Sequence, residues 1–141
     1  MTSFAAILGL FPAIALGQVR CGISYEDQNQ VDYNLRTRHA WGVAIDASAT
    51  AVPKTCLGIF REPDHRLISS VESDENGQFD FGQIKRGKYR LVARYDSLGV
   101  ANVILDIGLW PSGGVWRTRR LFVHLRPRGI DAVSFISWNR R

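Results

Sequence analysis

The feature that most constrains the fold is an eighteen-residue run, 74–91, that encodes two short strands and the turns beside them. Asn76-Gly77 is a pair that tolerates positive φ, which allows the chain to reverse direction tightly. Phe79 and Phe81 then alternate with polar or small residues, the pattern of a strand with one buried face. Lys85-Arg86-Gly87 makes a second turn into another alternating run. The stretch therefore predicts β-structure with two closely spaced turns.

Period-two alternation recurs along the rest of the chain and predicts an all-β fold. Beyond residue 17, no window has the i, i+3, i+4, i+7 apolar spacing of an amphipathic helix. We expect roughly seven or eight strands, the number typical of a single two-sheet β-sandwich with Greek-key connections. In the later strands, the residues expected to share one apolar face are Val103, Leu105 and Ile107, then Leu121, Val123 and Leu125, and Val133 and Phe135 close the domain.

The run from Lys88 to Tyr95 has two chemically distinct faces. Tyr89, Leu91, Ala93 and Tyr95 lie on one face, and Lys88, Arg90, Val92 and Arg94 lie on the other. The cationic face must be solvated or paired with other groups. We expect Phe79, Phe81, Tyr89 and Leu91 to be core residues, each contributing about 1.5–3 kcal/mol through burial.

The stretch 74–91 resembles the signature of the carboxypeptidase regulatory-like domain, a transthyretin-like (prealbumin-type) β-sandwich. That signature is an acidic-Gly turn, an aromatic strand, a basic or Pro-Gly turn, and then Tyr-x-Leu, which is Tyr89-Arg90-Leu91 in this chain. The resemblance extends over 41–138, with Gly42-Val43-Ala44-Ile45-Asp46 similar to the first strand of the family. It departs after Tyr95, where the family commonly has a Gly-aromatic pair. The resemblance implies an accessory module, because family members are mostly not enzymes.

The N-terminus has the composition of an export signal. Residues 4–16 are apolar and uncharged, and Ala15-Leu16-Gly17 offers the small residues that signal peptidase prefers. The apolar run is too short to span a bilayer, which needs about 20 residues. We therefore predict a signal peptide at 1–17, an N-terminal segment or extra strand at 18–40, the sandwich at 41–138, and a secreted, periplasmic or cell-envelope location. The alternative is a buried N-terminal helix or strand.

Cys21 and Cys56 are the only cysteines, and both remain after the expected cleavage before Gln18. In an oxidising compartment they would form a disulfide, which the chain-entropy model credits with at most about 4 kcal/mol. The alternative is that Cys56 is a small buried apolar residue while Cys21 is free.

Charge and catalytic motifs limit the possible functions. Eighteen basic and thirteen acidic residues give a net charge of +5, but no arginine run exceeds two and no recognition helix is predicted, so we expect no nucleic-acid partner. The basic balance is either a solvated surface or a contact with envelope polymers or lipid headgroups. His39, His65 and His124 form no metal-ligand motif, and the acidic-Gly turn lacks the glutamate that completes a calcium loop, so neither a metal nor a cofactor is expected.

Two enzyme patterns also fail to match. Ser112 lies in Pro-Ser-Gly-Gly rather than in Gly-x-Ser-x-Gly, which is typical of a turn rather than of a nucleophile. The hydroxyisourate hydrolases that share the transthyretin fold end in a Tyr-Arg-Gly-Ser-type tail, whereas this sequence ends Ser137-Trp138-Asn139-Arg140-Arg141. We therefore expect a non-catalytic protein.

The candidate binding segment is 109–120, in which two tryptophans flank a Pro/Gly-rich stretch and arginines follow. Exposed aromatic rings beside cations suit sugar faces or extended peptides. The candidate ligand-binding residues are Trp110, Trp116, Arg117 and Arg119. The alternative is that the tryptophans cap the sandwich core. The expected function is an exported binding or structural module, either for carbohydrate, like the starch-binding domains of this architecture, or for a protein of the cell envelope.

Overall fold

Nine β-strands form the framework of the chain in a computed structural model that describes residues 19–26, 34–96, 98–108, 119–128 and 133–138. No helix occurs among these residues, and the all-β prediction is confirmed. The strand count exceeds the expected seven or eight, because two strands of only three residues complete one sheet. In chain order the strands are β1 (Asn34–Thr37), β2 (Trp41–Ile45), β3 (Cys56–Arg61), β4 (Arg66–Glu72), β5 (Gln78–Asp80), β6 (Gly87–Arg94), β7 (Ala101–Ile107), β8 (Leu121–His124) and β9 (Phe135–Ser137).

The strands form two sheets, so the predicted β-sandwich is confirmed. The five-stranded sheet has the order β1-β7-β6-β3-β4, and the four-stranded sheet has the order β5-β2-β8-β9. The β1–β7 and β2–β8 pairs are parallel, and the remaining pairs are antiparallel. Parallel neighbours cannot be joined by a tight hairpin. The two strands of each parallel pair are therefore far apart in the chain, and the chain crosses between the sheets several times between them.

The connections alternate between the two ends of the sandwich. One end carries the connections 38–40, 62–65, 81–86 and 108–120, and the opposite end carries 46–55, 73–77, 95–100 and 125–134. The strand register shows which strand termini lie side by side. At the first end, Thr37 and Gly87 both pair with Ile107, and Trp41 pairs with Asp80.

The core lies between the sheets and follows the predicted alternation. Phe79, Phe81, Tyr89 and Leu91 are all buried, as expected from their pattern. The residues predicted to face inward from β7 and from the β8 segment are also buried, namely Val103, Leu105, Ile107, Leu121, Val123 and Leu125.

The last strand turns Ile136 toward the core. The sequence indicated Val133 and Phe135 as the apolar residues that close the domain, and in the structure Val133 is 50% exposed whereas Ile136 is fully buried. Pairing explains this orientation, because Ile136 lies opposite Val123, which faces the core. A period-two pattern fits both choices, and only the partner strand selects the face.

The turn near Gly77 forms as predicted but serves a different purpose from a simple hairpin. Gly77 has a φ of +72°, and a Cβ there would lie 2.5 Å from the carbonyl oxygen of Ala44. The carboxylate of Asp74 accepts hydrogen bonds from the amides of Asn76 and Gln78, both at 2.9 Å. Because β4 and β5 belong to different sheets, this turn carries the chain from one sheet to the other.

Residues 19–26, which we call the strap, cover the outer face of the five-stranded sheet. The disulfide between Cys21 and Cys56 joins the strap to β3, and the predicted pairing is confirmed. Ser70 Oγ accepts hydrogen bonds from the amides of Arg20 and Cys21, at 2.8 and 3.1 Å, and donates to the Cys21 carbonyl at 2.9 Å. A buried hydroxyl on β4 therefore fixes the start of the strap.

The middle of the strap packs over β3. A Cβ at Gly58 would lie only 2.5 Å from Cγ2 of Ile23, so the glycine leaves the space that this side chain fills. The Tyr25 ring meets Phe60 edge to face at 5.6 Å and stacks on His65 at 3.8 Å between centroids. The strap thus shields apolar surface on the side of the sheet that faces away from the core.

Candidate functional site

The predicted binding segment belongs to the connection between β7 and β8. Of the four residues chosen from the sequence, Trp110, Trp116 and Arg117 lie outside the described residues. Arg119 is described, and it is exposed two positions before β8 begins. The structure therefore locates both ends of the segment at the end of the sandwich that carries 38–40 and 81–86.

This connection is much longer than its path requires. It leaves the five-stranded sheet at Ile107 and enters the four-stranded sheet at Leu121, using the thirteen residues 108–120. Residues 38–40 cross between the same two sheets at the same end with three residues, and 81–86 cross there with six. Since stacked sheets are only about 10 Å apart, most of the longer connection is not needed to join the strands.

A histidine–aspartate pair lies at the same end. His39 Nε2 is 2.5 Å from Oδ1 of Asp80, and the His39 ring meets Trp41 edge to face at 6.5 Å. The Asp80 carboxylate also accepts the amide of Gly82 at 2.7 Å. Burial acts to raise the pKa of Asp80, but the hydrogen bonds from His39 and Gly82 outweigh it, and the pKa lies below its usual value.

The sequence did not identify this pair, because its members are 41 positions apart. The pairing of β2 with β5 brings them together by placing Trp41 opposite Asp80. An alternation pattern identifies strands but not their partners, so it carries no signal for this contact.

Charge is distributed unequally between the two ends of the sandwich. Each end consists here of the described residues of its connections together with the two adjoining residues of each strand. The end carrying 108–120, which we call the basic end, has nine Lys or Arg and four Asp or Glu, whereas the opposite end has four and five. The cations of the basic end are Arg36, Arg38, Arg61, Arg66, Lys85, Arg86, Lys88, Arg119 and Arg120.

The acids of the basic end are engaged with only some of these cations. Arg61 binds the carboxylate of Asp64, and hydrogen bonding to Arg61 lowers the pKa of Asp64 to about 2. Asp106 lies opposite both Arg36 and Lys88 in the sheet. Among the described residues, no carboxylate lies within 4 Å of Arg38, Lys85, Arg86, Arg119 or Arg120.

Arg90 has a structural setting that separates it from these cations. It lies on the outward face of β6, where the sequence required a cation to be solvated or paired, and it is only 3% exposed. Its guanidinium donates to Glu62 at 2.8 Å, to Asn102 at 2.9 Å and to the Tyr25 hydroxyl at 2.9 Å. Lys88 and Arg94 on the same face remain exposed. Arg90 therefore ties the strap to the sheet.

Across the described ranges, no three His, Cys, Asp or Glu side chains converge as metal ligands would. The described part of the chain also contains no helix with the length and apolar character needed to cross a membrane.

Comparison with known proteins yields structural likenesses only. No protein-family model matches the chain, and no curated protein matches it. The 5-hydroxyisourate hydrolase of Klebsiella pneumoniae is similar at 15% identity with a TM-score of 0.48, over 68% of this chain and 97% of the hydrolase. The 3-chlorocatechol 1,2-dioxygenase of Rhodococcus opacus 1CP is similar at 10% identity with a TM-score of 0.40, over 92% of this chain and 70% of the dioxygenase. Similarity this distant assigns no activity to the chain, whose own strands establish it as a two-sheet β-sandwich.

Proposed function

We propose that the chain is an exported, non-catalytic binding module that contacts its ligand through the connection 108–120. In this proposal it is a transthyretin-like sandwich of the carboxypeptidase regulatory-like kind, as the residues of 74–91 imply. The resemblance supports the non-catalytic part, because members of that family are mostly accessory modules.

The observation that carries the proposal is the excess length of the connection. A crossing that three residues accomplish at 38–40 takes thirteen at 108–120, and the additional residues include two tryptophans and an arginine. Long connections at the end of a rigid sandwich are common places for binding residues, because they vary without disturbing the core. Trp110, Trp116, Arg117 and Arg119 remain the proposed contact residues.

The Cys21–Cys56 disulfide supports the exported location. Disulfides persist in oxidising compartments and are rare where thiols are kept reduced. This bond attaches the strap to β3 in the folded protein. A secreted or cell-envelope location follows in the proposal.

The decisive experiment replaces residues 109–118 with Gly-Ser-Gly. The resulting connection has six residues, as many as 81–86, and it should span the sheets without strain. Both proteins are screened against an array of glycans and envelope polymers, and their melting temperatures are compared. We expect the replacement to keep the melting temperature and to abolish the binding shown by the parent chain.

A point substitution distinguishes binding from core capping. Trp116→Ala should lower ligand affinity by ~2 kcal/mol or more, as the loss of an aromatic anchor typically does, with little change in melting temperature. If Trp116 instead caps the core, its removal would cost ~3–5 kcal/mol of stability. That second outcome would contradict the proposed role of Trp116. Unchanged ligand binding by the shortened protein would contradict the role of the whole connection.

A further inference from the structure

We propose that the basic end binds an acidic polysaccharide, through ion pairs between its arginines and the carboxylates of the polymer. This inference rests on the proposed function, since it names the chemical class of the ligand at the same end of the sandwich. It adds the described residues around 108–120 to the binding surface.

The two ends of the molecule differ in formal charge. The described part of the chain has a formal charge of +5 at the basic end, nine cations against four acids, while four cations and five acids leave the opposite end close to neutral. A field concentrated at one end attracts and orients an anionic partner, which an even distribution of the same charges would not do.

Several cations of the basic end remain available to a ligand. Arg61 is committed to Asp64, and Arg36 and Lys88 lie opposite Asp106 in the strand register. Arg38, Lys85, Arg86 and Arg119 are exposed, and none has a carboxylate within 4 Å among the described residues. Arginine presents a planar set of donors that matches a carboxylate in bidentate geometry, so these side chains suit a uronate group.

The distribution of the available cations indicates the size and kind of partner. The available cations come from three connections, 38–40, 81–86 and 108–120, and they are spread over an exposed surface. Contacts distributed in this way match a chain of repeating anionic units better than one small ion, because each exposed pair contributes only about 0–1 kcal/mol. His39 and Trp41, both half-buried, add ring surface among these connections.

The disulfide favours a polysaccharide over other polyanions. An oxidising, extracytoplasmic compartment contains acidic envelope and matrix glycans, whereas nucleic acids are mostly found in reducing compartments. The described chain also contains no helix that could enter a DNA groove.

The test measures binding of the full chain to polygalacturonate, with neutral dextran as the uncharged reference. The variant Arg38→Gln/Arg86→Gln/Arg119→Gln removes three cations from the basic end. The matched control Lys54→Asn/Arg94→Gln/Arg128→Gln removes three cations from the opposite end and gives the same net charge. Circular dichroism and melting temperature establish that each variant is folded.

We expect polygalacturonate affinity to fall about tenfold or more in the basic-end variant and by less than about threefold in the control, since exposed pairs contribute locally. The parent affinity should also fall as NaCl rises from about 50 to about 500 mM, because the shorter Debye length screens the ion pairs. Equal losses in the two variants would overturn the inference, because net charge alone would then explain the binding. So would equally tight binding to single-stranded DNA or to anionic phospholipid vesicles.

The same measurements separate this inference from the proposed function. Binding to dextran or another neutral glycan that depends on Trp116, without binding to polygalacturonate, would support the binding module and overturn the acidic ligand. Absence of binding to every polymer in both screens would overturn both.

Discussion

Arg90 illustrates how a residue on a cationic strand face can have a structural role in the fold. Its position on an alternating strand placed it on a cationic face with Lys88 and Arg94. The fold buries Arg90 under the strap and gives it Glu62, Asn102 and Tyr25 as partners. A buried cation is tolerated only when such partners replace the lost hydration.

Replacing Arg90 should therefore destabilise the protein strongly. Arg90→Ala removes the cation that donates to the Glu62 carboxylate and to the Asn102 amide oxygen, and we expect a loss of about 3 kcal/mol in the free energy of unfolding. Arg94→Ala, which removes an exposed arginine from the same face of the same strand, should change stability by less than about 0.5 kcal/mol. Urea denaturation of both variants measures the difference. Similar losses of unfolding free energy in the two variants would show that Arg90 does not stabilise the attachment of the strap.

Gly58 is the second informative single residue, because the strap is built against its missing side chain. Gly58→Ala would bring a Cβ within 2.5 Å of Ile23 Cγ2 and within 3.2 Å of Leu67 Cδ1. We expect a cost of about 1–3 kcal/mol from this overpacking. Adding Ile23→Ala should recover part of that loss.

A double-mutant cycle on Gly58 and Ile23 tests this contact. The unfolding free energies of both single variants and the double variant give the coupling, which should be at least about 0.5 kcal/mol for touching groups. Strict additivity would mean that the strap does not pack on Gly58.

The strap is the element whose stability depends most on a single covalent bond. Its attachments include the disulfide, three hydrogen bonds with Ser70, the ring contacts of Tyr25 and the hydrogen bond from Arg90 to Tyr25. The sandwich core lies on the other side of the five-stranded sheet and does not include it. The strap is therefore expected to open without unfolding the two sheets.

Removing the disulfide should release the strap selectively. Alkylation of the denatured, unreduced protein should detect no free thiol. Cys21→Ser/Cys56→Ser should lower the unfolding free energy by at most about 4 kcal/mol and make the peptide bonds of 19–26 sensitive to protease. Limited proteolysis with mass spectrometry locates the cleavage, and the core strands should remain intact. Two free thiols in the natural protein, or first cleavage within the sheets, would contradict this expectation.

At the scale of the whole molecule, the sandwich has two chemically different ends. Alternation of the connections places both ends of the long segment 108–120 at the end that also carries nine of the Lys and Arg residues that the structure describes. The opposite end holds the acidic turn around Asp74 and the 46–55 connection. The charge of the molecule is thus unequal along the strand direction, and an anionic partner would bind at the basic end.

Export is the prediction that concerns the whole chain. We expect the signal at 1–17 to be removed, so that protein recovered from an exporting host begins at Gln18. Intact-mass analysis and N-terminal sequencing measure the start, and a variant with an arginine in the apolar run, Ile14→Arg, should stay unprocessed, because the charge interrupts the run. An intact Met1 on the exported natural chain would refute the prediction.

The sequence by itself determined the properties that depend on neighbouring residues. Alternation at 78–91 and 101–107 identified strands and their buried faces, because side chains of a strand point to opposite sides at period two. Asn76-Gly77 identified a tight turn, because glycine adopts positive φ without strain. Two cysteines in a chain with an export-like N-terminus were enough to predict their pairing.

The tertiary structure alone decided which strands are partners, and every feature of the candidate site depends on that choice. The His39–Asp80 contact, the inward position of Ile136 and the burial of Arg90 all depend on contacts between residues 13 to 65 positions apart. Local patterns cannot predict them, because a strand with one apolar face fits several partners and two registers equally well. Closure of the two sheets selects one arrangement, and this arrangement gathers the cations at one end and brings the strap over Gly58 and Arg90.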